Sequence, residues 1–333
     1  MKPGSSRTSA AAQRGLTLIE LMVAMTIGLL LLAGTASLFI SNKRIYREQE
    51  ELSRLQENGR FALEMLIGDI RMTGFVGCHD ILANVTNHVS TDQTELTSFL
   101  ARVEGSENGG DWLPSGATDN KGDAGSDGVT IRYLDPLGLT LTAQSTAGTA
   151  TPLTVSSAGD LRNGELIAVA DCADSDVLAI DDDDLPDATE TSIDNDAVIT
   201  RVYNPGAQVM RFVARRYFVR DAGAGPFLWV VENGGAAQEL IEGVEGMEVL
   251  YGLDDNDADT LPNSYVDADA ADAAGWDNVV SVRVALLLRT VDDNVNNEVD
   301  TRVYSLLGVP LGPFGDQRRR RVFTATISIR NNT

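Results

Sequence analysis

The side chain that asks most for an explanation is a single carboxylate, Glu20, inside an otherwise uncharged apolar run of 25 residues, 16–40. A carboxylate near the centre of a bilayer costs at least a few kcal/mol, so an acid in such a span is a functional candidate. A removable secretory signal or a plain membrane anchor gains nothing from it. A bundle of packed helices does gain, where the carboxylate can face an ammonium group. In a low dielectric that attraction is strong, yet desolvation offsets much of it, so such a pair sets register more than it adds stability.

Other residues could do chemistry, and each has a plainer alternative. Cys78 adjoins His79, but neighbouring side chains of an extended segment point to opposite faces, which disfavours a thiol–imidazole pair. Asp255, Asp257 and Asp259 imitate the first three ligands of a calcium loop. The sixth place holds Thr260 where glycine is required, and the twelfth holds Val266 where a bidentate Glu belongs. An EF-hand is thereby excluded. A looser calcium site recruiting Asp267 or Asp269 stays open beside the plainer expectation of a solvated acidic loop, with no cofactor. Arg318, Arg319, Arg320 and Arg321 form the one basic cluster. It is expected to pair with acids of this chain or of a neighbour, or to edge a strand, rather than to bind DNA. Paired carboxylates are too numerous to single out a glycosidase site. No phosphate-binding loop, nucleophile elbow or dinucleotide fingerprint occurs.

Composition supports the same exclusions. The chain has 333 residues, 49 acids against 26 bases and a formal net charge of −23. Binding driven by phosphate neutralisation is therefore not expected. Two His and two Cys leave little material for imidazole catalysis or zinc clusters. Hydrophobic residues make up 43%, enough for a core without a metal staple.

The elements that position these residues begin with a helix. At 1.5 Å per residue the run 16–40 spans roughly 37 Å, enough to cross a hydrocarbon core. From Ser41 to Met72 the period stays helical, with Leu52, Leu55, Ala62, Leu66 and Ile70 on one face and six acids and six bases on the other. No proline occurs between positions 3 and 114, so one helix of roughly 55 residues is allowed, with Gly59 and Gly68 each weakening it by up to ~1 kcal/mol. Beyond Met72 glycines punctuate the chain. Strand-like runs follow at 129–134, 166–170, 197–203, 209–219, 227–231, 279–288 and 322–329. Segment 139–158 reads as a weak strand pair or loop, and 253–276 as an Asp-rich loop. The fold class expected is α+β: a long amino-terminal helix, protruding in its first half, packed in its second on an antiparallel β-sheet head.

The start of the chain is open to three readings. Gly34-Thr35-Ala36 would suit signal peptidase after a secretory signal, an uncleaved anchor is the second, and a cut ahead of the apolar run is the third. Lys2, Arg7 and Arg14 precede the span while Lys43, Arg44 and Arg47 follow it, so charge alone leaves the orientation undecided. The run Arg14-Gly15-Leu16-Thr17-Leu18-Ile19-Glu20-Leu21-Met22-Val23-Ala24, however, resembles the cleavage and methylation motif of type IV prepilins. The resemblance implies that Gly15 ends a leader, that prepilin peptidase cuts after it, and that Leu16 becomes an N-methylated first residue. Leu16 stands where Phe is more usual. Glu20, the fifth mature residue, would then face the new amine.

A second set of motifs resembles the PilW group of minor pilins. These are Gly59-Arg60-Phe61-Ala62-Leu63-Glu64, Asp69-Ile70-Arg71-Met72-Thr73-Gly74-Phe75-Val76-Gly77-Cys78, Trp276-Asp277-Asn278-Val279-Val280-Ser281-Val282-Arg283-Val284 and the stretch from Arg320 to Asn331. They are also similar to the J-type pseudopilins of type II secretion. The resemblance implies a leader at 1–15, a membrane and assembly helix at 16–40, its amphipathic continuation at 41–75 and a periplasmic head at 76–333. It implies a low-abundance, non-catalytic subunit, held in the inner membrane and then near a pilus tip, that joins other minor pilins to prime filament assembly. The implied partners are the other minor pilins, the major pilin, prepilin peptidase, the inner-membrane assembly platform and a PilY-type tip adhesin. In that oxidising compartment Cys78 and Cys172 are expected to form a disulfide, with two buried thiols as the alternative. A membrane-anchored periplasmic enzyme is the rival from another class, and it requires a polar pocket with perturbed carboxylates.

Overall fold

The computed structural model describes residues 17–78, 84–89, 101–109, 121–158, 161–183, 185, 191–195, 198–254, 261–296 and 298–331. The chain divides into two units, one ending at Glu50 and the other beginning at Glu51. Helix α1 (Leu18–Met72) has 55 residues, as its uninterrupted helical period and lack of proline predict. In the first unit it is long and apolar enough to cross a membrane. Its apolar side chains lie bare, from Ile19 to Ile40.

In the second unit the helix buries one stripe: Glu51, Leu55, Gly59, Ala62, Leu66 and Ile70. Steps of three and four keep these residues on one face. Gly74, at a φ of 76°, ends the helix in the left-handed region that glycine enters freely.

The strands are β1 (Val85–Asn87), β2 (Val103–Ser106), β3 (Gly128–Thr140), β4 (Leu153–Thr154), β5 (Leu166–Ala170), β6 (Ser175–Ala179), β7 (Ser192–Ile193) and β8 (Gln208–Asp221). They continue with β9 (Pro226–Glu232), β10 (Gln238–Glu242), β11 (Val244–Leu253), β12 (Ser264–Val266), β13 (Val279–Arg289), β14 (Tyr304–Leu306), β15 (Val309–Leu311) and β16 (Arg320–Ser328). An eight-stranded sheet runs β1-β6-β5-β8-β3-β2, with β9 and then β10 extending from β8. The 14-residue β8 organises it. Strand β3 lies along one flank, while β5 and β9 share the other. All its pairs are antiparallel except β1 with β6. A second, four-stranded antiparallel sheet has the order β12-β11-β13-β16.

The main core lies where the stripe of α1 meets Val249, Val282, Val284, Leu286 and Ile327 of the four-stranded sheet and Ile131, Tyr133 and Tyr217 of the larger one. Residues of β11 and β13 on both faces are buried, because Leu306 and Leu311 of the β14–β15 hairpin cover Ala285 and Leu287 on the far side. A Cβ on Gly59 would stand 2.4 Å from the Phe323 ring. The glycine that weakens the helix therefore lets β16 approach it.

Three sequence expectations need correction. Residues 198–203 form no strand. Their apolar character serves a satellite core, where Ile199 and Tyr203 are buried. Strand β11 was hidden by Gly246, Gly252 and two glutamates, which obscure its alternation, although nearly all of it is buried. The Asp-rich segment contains β12 and a short helix, α2 (Ala268–Ala274), which Asp267 caps by accepting from Ala270 N at 2.9 Å. Segment 139–158 holds β4, which pairs with β7, and a bridge from Leu141 to Val155.

Candidate functional site

Glu20 sits in the first turn of α1. Its Oε2 accepts from Thr17 N at 3.2 Å and from Thr17 Oγ1 at 3.1 Å, while Glu20 N donates to Thr17 Oγ1 at 3.3 Å. This is a reciprocal capping box, which satisfies amides that a helix start leaves orphaned. It also holds a negative charge where the helix dipole favours one. Both Thr17 donors go to one oxygen, and Oε1 has no partner among the described residues. Among the described residues the carboxylate is thus oriented locally through one of its two oxygens. Thr-x-x-Glu is a readable signal for this box that the polarity argument passes over. Gly15 and Leu16, where the resemblance leads one to expect cleavage and methylation, lie outside the described residues.

Cys78 and Cys172 form a disulfide with Cα atoms 4.8 Å apart. It joins the segment following α1 to the turn after β5, as the pairing expectation required.

A polar cluster anchors the second half of α1. Asp69 on the helix accepts from Arg215 Nη1 at 3.0 and 3.2 Å, from Tyr133 Oη at 3.4 Å and from the Tyr217 hydroxyl. Arg215 also bonds Glu232 at 2.7 Å. Burial, with Asp69 behind it, pushes both tyrosines well above their ordinary value. For Arg215, burial alone would lower the value, but the surrounding carboxylates prevail and hold it protonated.

Two members of the arginine run, Arg318 and Arg320, are absorbed by the head. The Arg320 side chain has 0% exposure, bonding Glu245 at 2.6 and 3.0 Å and Asp316 at 2.6 Å twice. Its guanidinium lies 3.8 Å from the Phe314 ring centroid. Arg318 donates to the carbonyls of Thr290, at 2.8 Å, and Val291. Burial would raise Asp300, but hydrogen bonds from Arg302 and Tyr304 pull it down to about 2. The four-residue run is not a free basic patch.

Carboxyl groups with raised values do occur, beside a cleft of about 440 Å³ lined by Glu104, Glu107, Asp269, Asp272 and Trp276 among others. Burial, and then Asp127, pushes Glu248 up to about 8. These acids are committed to backbone and to each other. Asp127 accepts from Val249 N at 2.9 Å and is bonded to Glu248, and Glu107 accepts from Ala268 N at 2.8 Å. His88 meets Asp176 at 2.5 Å, whose other oxygen takes the Tyr203 hydroxyl at 2.6 Å. Among the described residues no group of three or more His, Cys, Asp or Glu side chains could hold a metal ion. The calcium candidates Asp255, Asp257 and Asp259 lie outside the described residues.

In this chain a bare apolar helix that opens on a capped acid precedes a β-rich unit. Residues 11–36 match the family model described as the prokaryotic N-terminal methylation motif. More particularly, residues 216–331, from β8 through β16, match the family model described as Type IV Pilus-assembly protein W. No curated protein and no solved structure matches the chain. These matches point to a structural, non-enzymatic protein, and the amino-terminal motif with its apolar helix fits membrane anchoring and a pilus.

Proposed function

We propose that the protein is a minor pilin that primes pilus assembly. Residues 1–15 are the leader, 16–40 the membrane and assembly helix, 41–75 its amphipathic continuation and 76–333 a periplasmic head. Prepilin peptidase cuts after Gly15, and Leu16 becomes the N-methylated first residue. Glu20 then offers its other oxygen to a terminal amine in the bundle of packed helices. The subunit waits in the inner membrane and works with other minor pilins, the major pilin and the assembly platform, at a pilus tip where a PilY-type adhesin is the further partner. The observation that carries this reading is the single acid at the head of an apolar stretch, Ile19 to Ile40, that no described residue of the chain covers. Isolated from neighbours or lipid, such a surface is unfavourable at roughly 25 cal/mol per Å².

Mass spectrometry of the amino terminus of the processed protein tests it. The expected species starts at Leu16 with one methyl group, and Gly15→Ala abolishes it. A start at Ser37 would instead indicate ordinary signal peptidase. Glu20→Ala is expected to leave processing intact and reduce pilus number at least several-fold; wild-type piliation in that variant would remove the assigned role.

A further inference from the structure

Strand β16 is the last strand of the four-stranded sheet, and among the described residues no strand pairs with its outer side. Two backbone bonds define which of its groups look outward. Thr290 N donates to Arg319 O at 2.9 Å at one end, and Ile329 N donates to Val280 O at 2.9 Å at the other. Between them the β13–β16 register runs from Arg320 to Ser328 without a shift. Antiparallel ladders alternate residue by residue. Residues 321, 323, 325 and 327 therefore bond to β13. Val322, Thr324, Thr326 and Ser328 direct their N–H and C=O groups to the open side.

Proteins usually protect such an edge with a proline, a bulge, an inward-pointing charge or a very short strand. This one is nine residues long, has no bulge and contains no proline. From Val322 to Ile329 it carries no charge, whereas Arg321 and Arg330, both exposed, bracket that stretch. Its inner side chains, Phe323 and Ala325, pack against the main core, so the strand is held rigid for docking.

We propose that β16 is a docking edge. It takes an extended segment of another pilin-like subunit as a fifth strand, and that segment carries acidic residues near both ends to meet Arg321 and Arg330. Main-chain bonds supply the affinity in such strand addition, and flanking side chains supply the choice of partner. A second copy of this chain fits poorly. Antiparallel self-pairing that sets Thr324 opposite Thr326 puts Arg330 of one copy opposite Arg320 of the other and Arg321 opposite Ile329, so neither exposed arginine meets an acid. The net charge of −23 opposes it further. The proposal rests on the pilin reading for the identity of its partner class.

The test uses the full processed chain in detergent, co-expressed in turn with each pilin-like subunit of the same cell. One subunit is expected to copurify. In that complex, hydrogen exchange should slow at the amides of Val322, Thr324, Thr326 and Ser328, to which no strand among the described residues bonds. Thr324→Pro removes only an outward N–H, as edge positions tolerate, and should weaken copurification at least tenfold while the melting temperature stays near wild type. Ala325→Pro breaks a bond to β13 and should lower the melting temperature, confirming the alternation. Arg321→Glu with Arg330→Glu should weaken copurification several-fold.

A complex without slowing at those four amides would overturn the proposal. So would undiminished binding by Thr324→Pro or by the double arginine variant, or copurification of none of the subunits. If Leu16 is the methylated terminus and copurification fails, the edge proposal falls alone. If processing occurs elsewhere, the pilin reading falls on that measurement.

Discussion

Residues 18–40 and 51–72 belong to one helix, yet they solve opposite problems. In the first stretch Leu30 is 73% exposed and Ile19 is 71% exposed. In the second, Leu66 and Ile70 are fully buried. The amphipathic stretch finds its cover within its own chain, because its apolar residues keep to one stripe. The apolar stretch is hydrophobic all round, and a surface of that kind belongs in lipid or among other helices. The difference separates residues that stabilise the β-rich unit from residues whose apolar surface is left for lipid or other helices to cover.

Substitution at matched positions breaks this comparison most strongly. Leu66→Ala should destabilise the head by about 3 kcal/mol, through lost transfer energy and the cavity left behind. Leu31→Ala, in the bare stretch, should leave the head's denaturant midpoint unchanged. Equal effects in urea unfolding would erase the distinction.

A graded effect comes from the buried pair of Asp127 and Glu248. Glu248 is raised from the ordinary 4.5 to about 8, so the folded head keeps a proton that the unfolded chain has released. Stability is therefore expected to fall as pH rises from about 4.5 and to level off above about 8. Glu248→Gln should flatten that part of the profile, measured as melting temperature against pH.

The smallest expected effects distinguish two glycines in the covered part of the helix. Gly59→Ala adds helix propensity but drives a methyl group into Phe323, for a net loss of about 1–2 kcal/mol. Gly68 has open space where a Cβ would stand, so Gly68→Ala should stabilise by up to ~1 kcal/mol. Chemical denaturation of the two variants reads the sign directly.

Much of this was legible in the chain itself. The span and stripe of α1 follow from periodicity, and strands such as β5 and β13 follow from compact runs of β-formers. The acid at position 20 and its motif can be read without coordinates. Strand β11 could not, because its glycines sit at a bulge and at close approaches. An added Cβ on Gly252 would lie 2.2 Å from Ser281 Oγ. The run at 197–203 misled because burial in a satellite core selects the same residue types as a strand does.

What the sequence alone determined is local: a helix start capped within three residues, an apolar length and a stripe repeating every three or four positions. Each depends on spacing along the chain, which helical geometry converts directly into faces. Only tertiary structure decided that Asp69 would meet Arg215, 146 positions away, that Arg320 would be buried among Glu245, Asp300 and Asp316, and that Gly59 would admit Phe323. It also decided that β16 would be left at an edge. Those outcomes depend on which distant segments pack together, a collective choice among burial, hydrogen bonding and chain entropy that no short-range pattern encodes.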